Sequence, residues 1–134
     1  MALCEWITAS HNPLTARVFV NRLWKLFFGT GLSRVLDYIG SQGEWPSQPE
    51  LLDWLAVEFI ESGWDVRHVL KLMVNSAAYR QDSRVSQAKW TADPDNRLMS
   101  RGPRHRLEAE VLRDQALAVG GLPPPRGGGP GGRP

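Results

Sequence analysis

Carboxylates are the residues with the most obvious chemical capacity in this 134-residue chain. Glu44, Glu50, Asp53, Glu58, Glu61 and Asp65 follow one another with no Lys or Arg between them. Two acids from such a cluster can divide general acid and base work when burial raises the proton affinity of one. The competing reading is a solvated acidic helix face, and it is the stronger one. Glu50 and Asp65 stand where helix caps belong, and Glu58 and Glu61 fall opposite an apolar stripe. A basic segment follows, in which Arg80, Arg84, Lys89, Arg97, Arg101, Arg104 and Arg106 face Asp82, Asp93 and Asp95, with Tyr79 and Trp90 interleaved. Such a segment can track phosphates while its rings stack on bases. Internal pairing fits it better: Arg104–Glu108 and Arg106–Glu110 are spaced i, i+4, and Glu110–Arg113 is spaced i, i+3. Arg97 and Arg101 can dock on the acidic helix, which makes nucleic acid the weaker of the candidate partners.

The remaining reactive residues are sparse. His11, His68 and His105 include no pair at i, i+4, so a metal site would have to be assembled by the tertiary fold. His68 falls on the outer face of its helix and reads as solvated. The lone Cys4 has no thiol partner for a disulfide or a zinc site. The chain contains neither G-x-S-x-G nor G-x-x-x-x-G-K-[ST], and Gly29-Thr30-Gly31 is too short a signal for a nucleotide. The residues therefore predict no cofactor and no catalytic set. Of the six tryptophans, Trp24, Trp54 and Trp64 lie at or beside apolar helix positions, where core packing is the default and an aromatic ligand platform the competing reading.

The composition, 42% hydrophobic and 22% charged, is that of one soluble globular domain. Six of the 13 Gly and five of the 10 Pro lie from Gly121 onward. A helical domain is therefore expected over residues 1–120 and a disordered Gly/Pro-rich tail over 121–134. Without the tail arginines Arg126 and Arg133 the basic and acidic residues balance, so no strong field draws in nucleic acid or an anionic membrane. No apolar run reaches the roughly 18 residues of a membrane span. The first seven residues lack the basic leader and long apolar stretch of a signal peptide.

The elements expected to position these residues are all helical, an irregular bundle of about four to six helices with long loops. Ala2 to Thr8 reads as one or two helical turns with Leu3, Trp6 and Ile7 on one side. Asn12-Pro13 starts a central helix running to Phe28 before Gly29, with Ala16, Phe19, Val20, Leu23 and Phe27 inward and Arg17, Asn21 and Lys25 as a polar stripe. Leu14, Val18, Trp24 and Phe28 widen its apolar face. Gly29 to Pro46 reads as an ordered loop. Ser47 and Glu50 spell a capping box for a helix over 48–62, closed by a left-handed Gly63. Asp65 caps the clearest period in the chain, Val66, Val69, Leu70, Met73, Val74 and Ala77, ending near Arg80. Residues 81–92 are polar with Val85 and Trp90 as anchors. Asp93-Pro94 starts a short helix to Ser100, and a last helix over 104–119 buries Leu107, Val111, Leu112 and Val119.

Several strings resemble the domain of unknown function 1553 family, planctomycete-type domains of large cytochrome c-associated proteins. They are Asn12-Pro13-Leu14-Thr15-Ala16-Arg17-Val18, Val20-Asn21-Arg22-Leu23-Trp24, Phe28-Gly29-Thr30-Gly31-Leu32, Gln42-Gly43 and Pro49-Glu50-Leu51-Leu52-Asp53-Trp54-Leu55-Ala56. The resemblance continues through Glu61-Ser62-Gly63-Trp64, Tyr79-Arg80-Gln81, Asn96-Arg97-Leu98 and Arg113-Asp114, and covers roughly residues 2–120. The family carries no assigned activity. What the resemblance implies is a piece of a larger family domain, an extracytoplasmic (periplasmic or secreted) setting, and a c-type haem elsewhere in a full-length relative. This chain has no C-x-x-C-H to hold one.

The chain departs from the family pattern where Tyr38-Ile39 replaces Asp-Phe and where Gln48 and Leu70 replace His, which removes titratable groups. The polar positions that match are Asn12, Arg17, Asn21, Arg22, Tyr79, Arg80, Asn96, Arg97, Arg104, Arg106, Glu110, Arg113 and Asp114. They are the candidate functional residues, or members of one buried Arg–carboxylate network that specifies the fold. The leading expectation is a non-enzymatic interaction module whose partners are other domains of its parent protein or an extracellular protein or polymer. The alternatives are part of a polymer-degrading or redox site, with Arg17, Arg22, Arg80 and Glu110 in one cleft, and nucleic-acid binding through residues 80–106.

Overall fold

Three amphipathic helices with complementary apolar stripes determine the architecture. The computed structural model describes residues 2–9, 11–12, 14–35, 43–104 and 106–122. Among these residues there are six helices and no strand, as the all-α expectation required. They are α1 (Ala2–Thr8), α2 (Thr15–Phe28), α3 (Pro49–Glu61), α4 (Val66–Asn75), α5 (Gln87–Ala92) and α6 (Ala109–Val119). The chain divides into two units, Met1–Arg104 and His105–Pro134, so α6 belongs to the second.

In the first unit, α2, α3 and α4 pack on one another. Helical spacing brings Ala16, Val20 and Trp24 to one face of α2, Leu52, Leu55, Ala56 and Phe59 to one face of α3, and Val69 and Met73 to one face of α4. Leu32, from the segment after α2, completes this core. Rings extend it: Phe19 stacks on Phe59 with centroids 5.0 Å apart, and Trp24 stacks on Phe28 at 3.9 Å. Each buried Leu, Val, Met or Phe contributes about 1.5–3 kcal/mol. An exposed ion pair contributes about 0–1 kcal/mol, so packing rather than surface charge holds the three helices together.

The helix ends follow local chemistry. Asn12 caps α2 from a little outside it, its Oδ1 accepting from the N–H of Leu14 at 3.0 Å and of Thr15 at 3.4 Å. Pro13 lies outside the described residues. α2 ends at Gly29, φ 83°, whose N–H reaches the Lys25 carbonyl. α3 ends in a Schellman motif: Trp64 N–H donates to the Phe59 carbonyl, Gly63 N–H donates to Ile60, and Gly63 takes φ 75°. The accompanying hydrophobic contact is Phe59 against Trp64, edge-on at 5.1 Å. Asp65 caps α4 as expected, accepting from the N–H groups of Arg67 and His68.

Several expectations are corrected. The Ser47/Glu50 capping box does not form; Gln48 is the N-cap residue of α3 and makes no side-chain cap bond. Ser47 is committed elsewhere, its N–H and its hydroxyl both donating to the Leu32 carbonyl, at 2.8 and 3.2 Å. α4 stops at Asn75 rather than near Arg80, because the Ser76 hydroxyl donates to the Met73 carbonyl at 2.6 Å and accepts from the Tyr79 N–H, turning the chain. Residues 94–98 form turns instead of a helix, because the Asp93 carboxylate takes the N–H groups of Arg97 and Leu98. A helix forms one segment earlier, where Ser86 caps α5.

Asn21, assigned to an outward polar stripe, is fully buried, and Trp54, assigned to the core, is exposed. In the second unit α6 begins at Ala109, not at 104. Val111, Leu112 and Val119 are exposed rather than buried. α6 also closes in a Schellman motif, with Leu122 N–H on the Leu117 carbonyl and Gly121 at φ 69°. The rest of the Gly/Pro-rich tail, 123–134, lies outside the described residues, as do Tyr38-Ile39 and His105.

Candidate functional site

The site is built from the backbone that follows α2. Gly31 lies so close to its surroundings that a Cβ there would sit 2.5 Å from the Ser33 carbonyl oxygen and 2.9 Å from Asn21 Oδ1. That close approach lets Asn21 act as a template for the loop. Its Nδ2 donates to the Ser33 carbonyl at 2.9 Å and its Oδ1 accepts the Ser33 N–H at 3.1 Å. Ser33, itself buried, is thereby held at a fixed height above α2. The two Ser47 bonds to Leu32 lash the segment before α3 to the same loop.

Between this braced loop and the first turns of α2 and α3 lies a cleft of about 340 Å³. Small-molecule sites run from about 300 to 1,000 Å³, so the cleft is large enough to hold a ligand. Leu14 and Leu52 give it apolar contact, and Ser33, Glu44 and Trp45 come from the loop segments. Arg17 of α2 and Asp53 of α3 complete it, with Nε 2.5 Å from Oδ1. Glu44 is held in turn by Arg97, whose Nη2 lies 2.9 Å from Oε1. Trp45 is 78% exposed, the most solvent-facing of the tryptophans along this edge. Arg17 and Asp53 also line a smaller recess with His11, Ala56 and Ile60.

A separate groove of about 430 Å³ runs between α1 and α2, lined by Trp6, Leu14, Val18 and Phe19, with Arg22 at its edge. It is almost wholly apolar and offers contact area rather than chemistry.

Of the sequence candidates, the structure gathers Arg17 and, through Glu44, Arg97 at the cleft. Asn12 and Asn21 are buried braces. Arg22 lines the α1–α2 groove, so it and Arg17 do not share the main cleft. Tyr79 packs edge-on against Phe27 and Phe28 at 6.0 and 5.7 Å, and Arg80 is exposed on the turn after α4. Asn96, at φ 53°, exchanges two bonds with the Arg101 backbone. Arg104 is exposed at the end of the first unit; Arg106, Glu110, Arg113 and Asp114 are exposed in the second. Since α6 starts only at Ala109, Arg106 precedes the helix and cannot use helical i, i+4 pairing with Glu110.

Two arginines of the basic segment, Arg84 and Arg101, are engaged from within it. Arg101 is 6% exposed, donates through Nη1 to the Asp93 carbonyl at 2.8 Å and through Nη2 to Pro94 at 2.6 Å, and lies 4.6 Å from the Trp90 ring centroid. Arg84 lies 3.5 Å from Asp82. Neither Arg97 nor Arg101 docks on the acidic helix: Arg97 meets Glu44 ahead of α3, and Arg101 stays inside its own segment. His68, read as solvated, pairs with Glu58 at 2.6 Å across α3 and α4.

Sequence reasoning counted Glu44 and Asp53 in an acidic cluster that it read as a solvated helix face, and it passed over Trp45 and Ser33 altogether. For Asp53 the signal was present, since it falls with Arg17 in the strings that carry the resemblance. Trp45, between Glu44 and Pro46 and outside any helical period, was visibly a tryptophan without a core position.

Among the described residues no group of three or more His, Cys, Asp or Glu side chains is placed to hold a metal ion. No described helix is long and apolar enough to cross a membrane. No curated protein and no solved structure matches the chain. A family model does match, and it spans residues 1–134, past the stretch in which the resemblance was read: the chain belongs to PSD1, a family of proteins of unknown function (DUF1553).

Proposed function

We propose that the chain is a helical binding module, and that the cleft between the first turns of α2 and α3 is where it takes a ligand. One observation carries this reading. The carboxylates of Asp53 and Glu44 line the cleft already paired with guanidinium groups, Arg17 at 2.5 Å and Arg97 at 2.9 Å. A carboxylate paired in this way is a fixed acceptor beside a fixed donor, an arrangement for recognition and orientation. The support beneath it is rigid: both Arg17 and Asp53 stand on helices of the packed core, and Ser33 is held by the buried Asn21.

The module acts, in this reading, as part of a larger protein. The apolar side chains left exposed on α1 and at the start of α2, Leu3, Trp6 and Leu14 among them, supply contact area for neighbouring domains. An extracytoplasmic parent with a c-type haem segment elsewhere is the setting we propose, supported by the family resemblance alone.

The test is a fragment screen on the full chain, read by backbone and tryptophan indole resonances. Hits are expected to shift Gly43, Glu44, the Trp45 indole and Asp53 together. A screen with no hits, or with hits that perturb only the α1–α2 groove, overturns the assignment of the cleft.

A further inference from the structure

We propose that the ligand of this cleft is an uncharged, polyhydroxylated ring, a neutral saccharide unit; this rests on the binding reading above. The first argument is charge. Arg17, Glu44 and Asp53 line the cleft, and each has an opposite charge no more than 2.9 Å away, Arg97 serving Glu44 from just outside. Among the described residues, the cleft therefore presents no uncompensated charge to a phosphate, a carboxylate or an ammonium group.

The second argument is hydrogen-bond complementarity. Beside one another, Arg17 and Asp53 set a guanidinium and a carboxylate within one small patch. A hydroxyl both donates and accepts, so adjacent hydroxyls on a ring satisfy such a pair without displacing either partner. Asp53 and Glu44 each keep acceptor capacity beyond a single arginine contact, since a carboxylate accepts at about four lone-pair sites.

The third argument is shape. Trp45 exposes its indole at the cleft, flanked by Pro46, with Pro49 and the aliphatic Leu14 and Leu52 also lining it. A flat apolar ring next to a polar dyad matches a molecule with one C–H face and a hydroxyl edge. A nucleobase would use the indole as well. Its phosphate, however, would meet Glu44 and Asp53 with no surplus cation among the described residues that line the cleft.

The experiment is a titration of the full chain with neutral oligosaccharides of glucose, galactose, mannose and xylose, in parallel with oligogalacturonate and chitosan oligomers, read by the Trp45 indole resonance and by calorimetry. At least one neutral series is expected to bind saturably, with little change when salt is raised. Trp45→Ala is expected to weaken it roughly tenfold, the scale of one lost aromatic contact. Asp53→Asn, at a half-exposed position, is expected to weaken it several-fold while leaving the unfolding midpoint close to wild type.

Tighter binding of the anionic or cationic oligomers than of every neutral one overturns the proposal. So does a neutral saccharide whose binding is indifferent to Trp45→Ala. If fragments still map to the cleft but no neutral saccharide binds, the saccharide assignment fails and the binding site stands; if nothing enters the cleft, both fall.

Discussion

Asn21→Ala is the substitution that tests most directly how the site is held. Asn21 is fully buried, and its amide satisfies both the N–H and the carbonyl of Ser33. Truncation removes two hydrogen bonds and orphans two backbone groups in a region that excludes water. Each orphaned buried group costs about 1–3 kcal/mol, so the two together are expected to cost about 3–4 kcal/mol. Small domains have total stabilities of about 5–15 kcal/mol, which makes this loss a large fraction of the whole. In urea, with a slope of about 2 kcal/mol per molar, the middle of the range for a small protein, the midpoint of the full chain should fall by roughly 1.5–2 M. A second readout locates the damage: the Ser33 amide should lose hydrogen-exchange protection beyond the global change, and the Trp45 indole resonance should move. A loss below about 0.5 kcal/mol, the level of an ordinary surface substitution, would refute the argument that Asn21 is the template for the loop.

Three further outcomes follow from the same geometry. Gly31→Ala and Gly63→Ala should both destabilise for different reasons: the first by collision with backbone 2.5 Å away, about 2–3 kcal/mol, the second by the left-handed φ of 75° with open space around it, about 1 kcal/mol. Gly63→Asn should recover part of the second loss and Gly31→Asn none of the first, which equilibrium unfolding will distinguish. Asp65→Ala, which removes the acceptor for Arg67 and His68 N–H groups, should cost about 1 kcal/mol and fray the first turn of α4, visible as faster amide exchange there. Arg101→Lys keeps the charge but cannot fork to the carbonyls of Asp93 and Pro94 while holding a guanidinium over Trp90; a local loss of about 2 kcal/mol and altered Trp90 emission are expected.

The sequence was most legible where one period dominates. Val69 and Met73 in α4, Leu52, Leu55, Ala56 and Phe59 in α3, and the Asp65 and Gly63 helix ends were all readable, because core stripes and caps are local to an element. It was least legible where a polar side chain serves a distant backbone. Asn21 looks like the middle of a polar stripe on α2 and instead faces Ser33, a partner that no helical period encodes. Ser47 looks like half of a capping box and instead bonds Leu32, fifteen residues away. α6 shows the reverse failure: Val111, Leu112 and Val119 have the spacing of a core stripe, yet all are exposed, since periodicity reports which face could be covered and not whether it is. The candidate site mixes these cases. Arg17 and Asp53 were marked by the family-like strings, whereas Glu44 and Trp45 sit in irregular chain whose placement is tertiary.

The energies separate what builds the fold from what the cleft residues are for. The side chains of Arg17 and Asp53 are 31% and 53% exposed, and those of Arg97 and Glu44 are 39% and 40% exposed. Pairs so accessible contribute about 0–1 kcal/mol each, less than one buried Leu, and are weakened further by salt. Stability alone therefore gives little reason to place two such pairs side by side at the mouth of a cleft. It gives full reason for the layer beneath, where the buried Asn21 and Ser33 interlock against the closely approached Gly31 and each change is costly. The arrangement is that of a rigid polar seat carrying a nearly isoenergetic charged rim. On the saccharide proposal, such a rim exchanges its water for the ligand's hydroxyls without disturbing the bundle, because its own bonds are weak and the seat beneath it is rigid.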